Sequence, residues 1–501
     1  MFKIKSGYIP KGPFQKHRQG VYWNKSLATA ARKTIKDIGG ENIMRIILVG
    51  CGKIGYTTAK SLAMEKGFDV TIIDNDAEAL EKAGESIDAM LIRGNGLNAD
   101  ILIEAGVKDA DLLISMADAD ETNILCCVLA KYLGTKYTAA RVRNPGYALE
   151  LGNFWKDLGL DLIINPESEA AREISRLLRF PTVDDIDIFL GGRVELVSFK
   201  VEDTQDYFAG KSVAEVFPIR KKMKVILALV ERAGRAFIPH GDLTFEKDDV
   251  LKIMGRPSNI MDFFALIGKN TNRIKSAVII GGNKITHYLV ELLHRHSSAT
   301  NIKIIEIDKR RCEELSEEFP RCIVIHGDGT DEDVLTSEVV DQAEAIVCLT
   351  DRDEENTVIA LYCLHLGIRK VILKINHINQ DMVRDLKIGS IISPQNITAK
   401  QILRHVKGMA NKISSSVKNT YEIYNSDDEK VYAIEFAATD RAKCLNLPIR
   451  EMKIKRQVLI ACLVRSANII IPTGDTFFKA GDSVIIVTTD DDIREIDDIL
   501  A

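Results

Sequence analysis

The sequence predicts an α/β protein in which two doubly wound, Rossmann-like domains are each followed by a small α+β domain. Short apolar segments alternate with helical segments from residue 44 to about residue 180, as expected for a parallel sheet covered on both faces. The same succession returns about 230 residues later. A repeat of this length indicates a duplicated set of domains, because the units of a solenoid are much shorter.

Each predicted element of the first half follows from a local pattern. An apolar strand at 45–49 leads through a glycine turn into a helix at 54–65. Further strands are predicted at 69–73, 89–92, 112–116, 138–142 and 160–164, and helices at 121–133 and 167–178. Shorter alternating strands then follow at 194–201, 224–231, 236–238 and 249–253, which is typical of a half-buried sheet.

The repeat fixes the expected domain boundaries. The first Rossmann-like unit is placed at 44–180 and the first small unit at 185–270. Their second copies are placed at 275–410 and 420–501. The turn Pro239-His240-Gly241-Asp242 returns as Pro472-Thr473-Gly474-Asp475, so the small units also repeat.

Residues 1–43 differ in charge from the rest of the chain. They contain nine Lys/Arg and two Asp/Glu, whereas the whole chain carries a net charge of −5. Such a segment is either a basic arm for acidic lipid or nucleic acid, or a disordered tail or leader upstream of a start at Met44; the second interpretation is favoured. The remaining chain is acidic, which argues against general nucleic-acid binding.

The composition points to a cytoplasmic protein. No apolar run reaches the roughly 18–20 residues that span a bilayer, and the first residues lack the features of a secretory signal. The nine cysteines include no C-x-x-C pair, so we expect reduced core residues and no metal site.

The first glycine turn predicts a nucleotide site. Gly50-x-Gly52-x-x-Gly55 directly follows a strand and opens a helix, which is the context in which this motif binds a pyrophosphate. Asp74 ends the second strand, where a carboxylate can hold the ribose hydroxyls and repel a 2′-phosphate. NAD(H) or an adenine nucleotide is therefore favoured over NADP(H), and the alternative is a turn kept for packing.

Two further features lie at the carboxyl ends of predicted strands. Ala117 and Asp118 follow the fourth strand and could border the ligand. Arg141 and Arg143 lie on the next strand, where they could meet an anionic ligand or pair with local carboxylates. The segment 120–123 is interpreted as a helix cap with dipole compensation.

The second copy has lost two of the three glycines. The corresponding positions are Gly281, Asn283 and Thr286, while Glu306 takes the place of Asp74 and Lys374 that of Arg141. An asparagine side chain takes up space that a pyrophosphate needs. This copy either binds a nucleotide weakly or is a structural partner of the first, and we favour the structural role.

These motifs together make residues 44–501 resemble the TrkA family, the NAD-binding regulatory subunits of Trk potassium uptake systems, with RCK-N and RCK-C domains in alternation. The resemblance is carried by Gly50 to Gly55, Asp74, the run 118–123 and the P-x-G-D turns. It implies the following nucleotide-contacting residues in the first copy: Gly50, Cys51, Gly52, Lys53, Ile54, Gly55, Asp74, Ala117, Asp118 and Arg141. The matching positions of the second copy are Gly281, Gly282, Asn283, Lys284, Ile285 and Glu306.

The resemblance also implies a function without catalysis. It implies a ring of RCK domains that holds a membrane-embedded, TrkH/TrkG-like potassium transporter subunit from its cytosolic face, and that responds to NAD(H), with ATP or ADP as further ligands. The alternative is an NAD-dependent oxidoreductase. For such an enzyme the sequence offers no substrate domain, and it shows no Asp or Glu that would orient His240 or His287 for acid–base catalysis.

Overall fold

The structure is a computed structural model that describes residues 43–144, 146–147, 154–181, 183, 185–201, 207–208, 210–217, 224–269, 274–296, 300–339, 343–376, 388–411, 416–426, 429–466, 468–490 and 493–501. The interpretations of the basic segment 1–43 therefore fall almost entirely outside the described residues. The chain divides into two compact units. The first consists of the chain up to Ala140 together with residues 153–162, and the second of residues 141–152 together with the chain from Ile163 onward.

The first sheet has the doubly wound order that the sequence predicts. Its strands are β1 Met44–Val49, β2 Phe68–Asp74, β3 Met90–Arg93, β4 Leu112–Ser115, β5 Tyr137–Arg141 and β6 Leu162–Ile164. Their order is β3-β2-β1-β4-β5-β6, and β1 pairs in parallel with both β2 and β4. The direction of winding reverses between β1 and β4, and ligands of such sheets bind beyond the carboxyl ends of the strands at that point.

Helices connect these strands. They are α1 Lys53–Ala63, α2 Ala77–Gly84, α3 Ala99–Glu104, α4 Asp120–Leu133, α5 Phe154–Asp157 and α6 Pro166–Arg179. The start of α6 shows why the chain turns helical there: the Asn165 side chain accepts the Ser168 N–H at 2.8 Å, and Pro166 occupies the first turn.

The first small domain is an antiparallel sheet with short helices. Its strands are β7 Asp185–Phe189, β8 Val194–Lys200, β9 Val225–Arg232, β10 Arg235–Phe237 and β11 Val250–Gly255, and its helices are α7 Val213–Val216 and α8 Pro257–Leu266. The order is β10-β9-β11-β8-β7. The sequence predicted four of these strands but not β7, whose alternation of acidic and apolar residues spans only five positions.

The second doubly wound sheet repeats the first. Its strands are β12 Ser276–Ile280, β13 Asn301–Glu306, β14 Ile323–His326, β15 Ala345–Cys348, β16 Lys370–Lys374 and β17 Ser390–Ile392. Its helices are α9 Lys284–His296, α10 Lys309–Glu318, α11 Glu332–Val339, α12 Asp353–His365 and α13 Pro394–Asn411. The strand order β14-β13-β12-β15-β16-β17 is the same as in the first sheet, so the duplication holds at the level of topology.

The second small domain closes the chain. Its strands are β18 Val417–Asn425, β19 Lys430–Ala437, β20 Val458–Arg465, β21 Asn468–Ile470 and β22 Ser483–Thr488, in the order β18-β19-β22-β20-β21. Within the second compact unit the two small sheets share one apolar core, to which Phe189, Leu229 and Met254 contribute from one side and Val431, Cys462, Ile485 and Val487 from the other. The Lys252 ammonium also donates to the Ile423 carbonyl at 2.6 Å.

The helix α6 belongs to the core of the second copy. It packs against α9 and α13. At its start the Asn165 amide donates to the Tyr288 hydroxyl at 2.8 Å, and that hydroxyl donates to the Arg143 carbonyl at 3.0 Å. The helix α9, which follows the second glycine turn, is thus tied to the segment that links the first sheet to the first small domain.

A buried arginine–aspartate pair repeats in the two small domains. Arg232 holds Asp249 through Nε at 2.7 Å and Nη2 at 2.8 Å, and Arg465 holds Asp482 at 2.9 and 2.8 Å. Both aspartates are buried. Burial disfavours ionisation of Asp482, but hydrogen bonds from Arg465 and the Lys479 N–H outweigh it and lower the pKa of Asp482 below its usual value.

We predict that Asp482→Asn lowers the free energy of unfolding by about 3 kcal/mol at neutral pH, because it leaves the Arg465 charge without its buried partner. Urea unfolding of both proteins measures this difference. Since the folded-state pKa is depressed, the difference stays constant between pH 7 and about 5 and shrinks as the pH falls below ~4. The control is Asp475→Asn, where an exposed pair with Arg450 is removed and the expected change is below about 0.5 kcal/mol. An unchanged stability of the Asp482 variant would contradict the prediction.

Candidate functional site

The first glycine turn, between β1 and α1, needs glycine at the first and third glycine positions of its motif. Gly50 adopts a φ of +95°, and a Cβ there would lie 2.8 Å from the Ala117 nitrogen. A Cβ on Gly55 would lie 1.9 Å from the Gly50 carbonyl oxygen. The backbone of this turn is therefore close to both the end of β4 and the first turn of α1, in a way that no side chain permits.

The helix α1 begins without a side-chain cap. Gly52 is its N-cap, no side chain of the described residues caps its first N–H groups, and its first turn contains no acidic residue. A Cβ built on Gly52 meets no atom within 4 Å, so open space lies in front of the helix. The free N–H groups and the partial positive charge of a helix N-terminus favour an anion at such a place. Lys53 is exposed beside it, and Ile54 is buried.

Asp74 is held in a fixed orientation at the end of β2. One carboxylate oxygen accepts the Cys51 N–H at 2.5 Å and the other accepts the Asp76 N–H at 2.8 Å. A carboxylate has about four acceptor sites, so it can still accept hydrogen bonds from ribose hydroxyls. Burial is the main cause, and the negative charge of Asp74 the second, that raises the pKa of the Cys51 thiol to about 11. This cysteine therefore stays protonated at neutral pH.

The turn after β4 is organised by Asn123. Its side-chain oxygen accepts the Ala117 N–H at 2.7 Å and the Ser115 hydroxyl at 2.9 Å, and its amide donates to the Ala117 carbonyl at 2.9 Å. The interpretation of 120–123 as a cap was wrong for Asn123, because α4 has Ala119 as its N-cap and no side-chain cap. The side chain instead shapes the backbone that carries Ala117 and the exposed Asp118.

Arg141 ends β5 and belongs to the second compact unit. Its guanidinium lies 3.5 Å from the Glu167 carboxylate in the first turn of α6, and both side chains are largely buried. The sequence analysis singled out Arg141 but did not identify Glu167 as its partner. Arg143 follows the end of β5 and is half-buried.

The second glycine turn lies at the same place in its sheet and carries different side chains. Gly281 adopts a φ of +102°. Asn283 accepts the N–H groups of Ile285 at 2.9 Å and Thr286 at 3.3 Å, while its amide donates to the Leu349 carbonyl at 2.6 Å. Thr286 is fully buried and donates its hydroxyl to the Gly281 carbonyl at 2.5 Å. Lys284, the first residue of α9, is exposed and Ile285 is buried.

The rest of the second copy keeps the carboxylate and changes its surroundings. Glu306 accepts the Gly282 N–H at 2.5 Å and the Asp308 N–H at 2.8 Å, as Asp74 does in the first copy. Arg311 donates to the Gly282 carbonyl at 2.7 Å. Lys374 lies 3.1 Å from the Asp351 carboxylate.

The histidines that the sequence singled out lie elsewhere. His287 does have a carboxylate partner, since its Nδ1 lies 2.7 Å from Glu318, which the sequence could not reveal because α10 brings it in from 31 positions away. The ring packs against Tyr288 and Phe319, so the pair is part of the packing of α9 on α10. His240 is exposed in its turn. Among the described residues no group of three or more His, Cys, Asp or Glu could hold a metal ion.

The fold and the turns define a protein with two Rossmann-like domains, each followed by a small antiparallel-sheet domain. The GsuK RCK domain has the same fold with a TM-score of 0.57 at 18% identity, over 90% of this chain and 94% of that one. The GsuK channel matches with a TM-score of 0.59 at 18% identity, over 92% of this chain and 81% of that one. At this identity the likeness concerns the fold alone.

The chain belongs to the TrkA family. The sequence model of the TrkA-N domain matches residues 46–166 and 277–394, and that of the TrkA-C domain matches 196–268 and 433–501. The Trk system potassium uptake protein TrkA homolog 1 of Methanosarcina mazei is 30% identical over 452 residues, which cover 88% of this chain and 97% of the relative. The Trk system potassium uptake protein TrkA of Halomonas elongata is 30% identical over 89% of this chain and 96% of its own. The predicted fold class and the family resemblance are both confirmed.

We predict that Asn123→Ala lowers the free energy of unfolding of the first domain by about 3 kcal/mol, because it removes three hydrogen bonds, one of them buried and two partly buried. Thermal unfolding followed by circular dichroism measures the change. Asn98→Ala is the control, because it removes one cap bond to the Asp100 N–H at an exposed helix start, worth about 1 kcal/mol. Equal losses in the two variants would show that Asn123 does not organise this turn.

Proposed function

We propose that this chain is the nucleotide-responsive regulatory subunit of a Trk-type potassium uptake system. The observation that carries the proposal is the first glycine turn: an uncapped helix N-terminus next to a carboxylate that two backbone N–H groups hold in place. The turn supplies a binding place for phosphates and Asp74 one for a ribose, which are the two parts shared by NAD(H), ATP and ADP.

The nucleotide we propose is NAD(H), with ATP or ADP as further ligands. Gly50, Cys51, Gly52, Lys53, Ile54 and Gly55 form the turn that would hold the phosphates, and Ala117 and Asp118 follow β4 at the same edge of the sheet. Asp74 disfavours NADP(H), because a 2′-phosphate would bring two negative charges to a fixed carboxylate. The similar GsuK channel has been solved bound to NAD.

The proposed action is binding without turnover. When bound, a nucleotide would complete the hydrogen bonding of the α1 N-terminus, so that the occupied and empty states differ in how firmly α1 and the β4 turn are held. Ligand binding then shifts the population of conformations, and a partner protein reads that shift. The thiol nearest the turn, Cys51, is protonated, and the His287–Glu318 pair belongs to the second copy, so neither supplies acid–base chemistry for the alternative, an NAD-dependent oxidoreductase.

The proposed partner is a membrane-embedded potassium transporter subunit of the TrkH/TrkG kind, held from the cytoplasmic side by a homo-oligomeric ring. The support is that this chain matches nearly the whole length of relatives that are named as proteins of a potassium uptake system. Within the described part of the chain, no helix has the length and apolar character needed to cross a bilayer. We place the protein in the cytoplasm at the inner face of the cell membrane, with no nucleic-acid partner.

The domain limits form part of the same proposal. We assign the nucleotide sensor to the RCK-N domain at 44–180 and the first RCK-C domain to 185–270. The second RCK-N and RCK-C domains are assigned to 275–410 and 420–501. Support comes from the four sheets: the first three each lie inside one of these ranges, and the fourth begins three residues before 420, since β18 starts at Val417.

We predict that NADH, NAD⁺, ATP or ADP at 1 mM raises the melting temperature of the purified protein by several degrees, because a ligand that binds only the folded state stabilises it. Asp74→Ala should abolish the shift. Glu81→Ala, an exposed change on α2, is the control and should keep it. NADPH should bind at least tenfold more weakly than NADH. A wild-type protein unaffected by all four ligands would overturn the nucleotide proposal.

Potassium transport is tested separately. Vesicles containing the membrane subunit should take up Rb⁺ at a rate that changes when this chain and a nucleotide are added together. The Asp74→Ala chain should bind the vesicles and fail to respond to the nucleotide. Substrate-dependent oxidation of NADH by the purified chain would instead support the oxidoreductase alternative.

A further inference from the structure

The helices that follow the two glycine turns start alike and are capped differently. In the first copy the Tyr56 N–H bonds to the Gly52 carbonyl at 2.8 Å, and in the second the His287 N–H bonds to the Asn283 carbonyl at 3.1 Å. Gly52 and Asn283 are thus the same N-cap position. Only Asn283 has a side chain that reaches the first-turn N–H groups.

Asn283 makes the bonds that a phosphate would make. Its oxygen accepts the N–H groups two and three positions further along, from Ile285 and Thr286, which is the usual geometry of an asparagine N-cap. Its amide group is held by the Leu349 carbonyl at the end of the central strand β15. The side chain is therefore fixed from both ends and lies over the helix N-terminus.

Two neighbouring side chains reinforce this closure. Thr286 stands at the position of Gly55, where a Cβ would collide with the Gly50 carbonyl oxygen in the first copy, and its hydroxyl donates to the Gly281 carbonyl. Arg311 donates to the Gly282 carbonyl across the mouth of the turn and also pairs with Glu314 at 2.9 Å. The counterpart of Arg311 in the first copy is an alanine, Ala79.

We infer that Asn283 determines which half of the chain binds a nucleotide: its side chain takes the place of the ligand phosphate and closes the second copy. This inference rests on the proposed function, since it names the residue that restricts the proposed ligand to the first copy. The positions Gly281, Gly282, Asn283, Lys284, Ile285 and Glu306 then form a turn that is complete without a ligand.

The closure has a structural consequence for α9. A helix whose N-terminal groups are satisfied by its own N-cap keeps its position whether or not a nucleotide is present. Because α9 packs against α6 and carries Tyr288, which bonds Asn165 and the Arg143 carbonyl, the second copy gives these segments a support that does not depend on ligand. The first copy has no such internal cap.

The first test transfers the cap to the sensing copy. Gly52 has an extended backbone with φ −63° and ψ −173°, which asparagine adopts readily, and free space where its Cβ would lie. Gly52→Asn should raise the melting temperature of the ligand-free protein by roughly 2–4 °C through the new cap, and should weaken ATP and NADH binding at least 30-fold. Gly52→Ala is the matched control and should not raise the melting temperature, because alanine cannot cap.

The second test removes the cap from the closed copy. Both variants are made in an Asp74→Ala background. Asn283→Gly should lower the ligand-free melting temperature and bind ATP at least tenfold more tightly than Asn283→Asp does. Asn283→Asp is the control, because it keeps the accepting oxygen and adds a negative charge. Isothermal titration calorimetry with ATP measures the affinities. A further Glu306→Ala change should remove the gained binding.

The outcomes separate the inference from the proposed function. If Gly52→Asn binds nucleotide as the wild type does, or if Asn283→Gly binds no better than Asn283→Asp, the inference is overturned. If the wild type binds no nucleotide, the proposed function fails. The melting temperatures of Gly52→Asn and Gly52→Ala still decide whether an asparagine at this position caps the helix.

Discussion

The hydrogen-bonding need of a helix N-terminus underlies this structure. The first N–H groups of any helix lack partners within the helix, and they must find them in a side chain, in water or in a ligand. At the end of β1 the chain leaves this need open, with glycine as the N-cap and a fixed carboxylate nearby. At the end of β12 it meets the same need with Asn283. Equivalent turns therefore give a place for a ligand in one copy and a closed turn in the other.

The duplication places these two turns in domains that share a topology but not a role. The second sheet, both small sheets and α6 lie within one compact unit, and the two small sheets have a common apolar core. The closed turn belongs to this unit and begins the helix that holds Asn165 through Tyr288. A regulator of this design needs one part that responds to a ligand and one that stays constant. The difference in capping gives the first role to the first copy and the second role to the second copy.

Much of the fold could be predicted from the sequence, because glycine turns, apolar strands and repeated motifs are local signals. The doubly wound parallel sheet of each copy and the difference between the two glycine turns followed from them. The edge strand β7 was missed because its pattern is short, and β18 because polar residues interrupt its apolar positions. The partners Glu167, Glu318 and Arg311, and the bonds of Asn123, were missed because they depend on side chains that folding brings together. A sequence shows the residue types of a site, whereas long-range contacts decide which of their donors and acceptors are already used.

The number of nucleotides bound per chain shows whether one copy or both copies take a ligand. Equilibrium dialysis of the full-length wild-type protein against labelled ATP, and separately against labelled NADH, gives this number at saturation. We expect one nucleotide per chain, whose binding is lost in Asp74→Ala and kept in Glu306→Ala. Two nucleotides per chain, with one lost in each of these variants, would contradict this expectation.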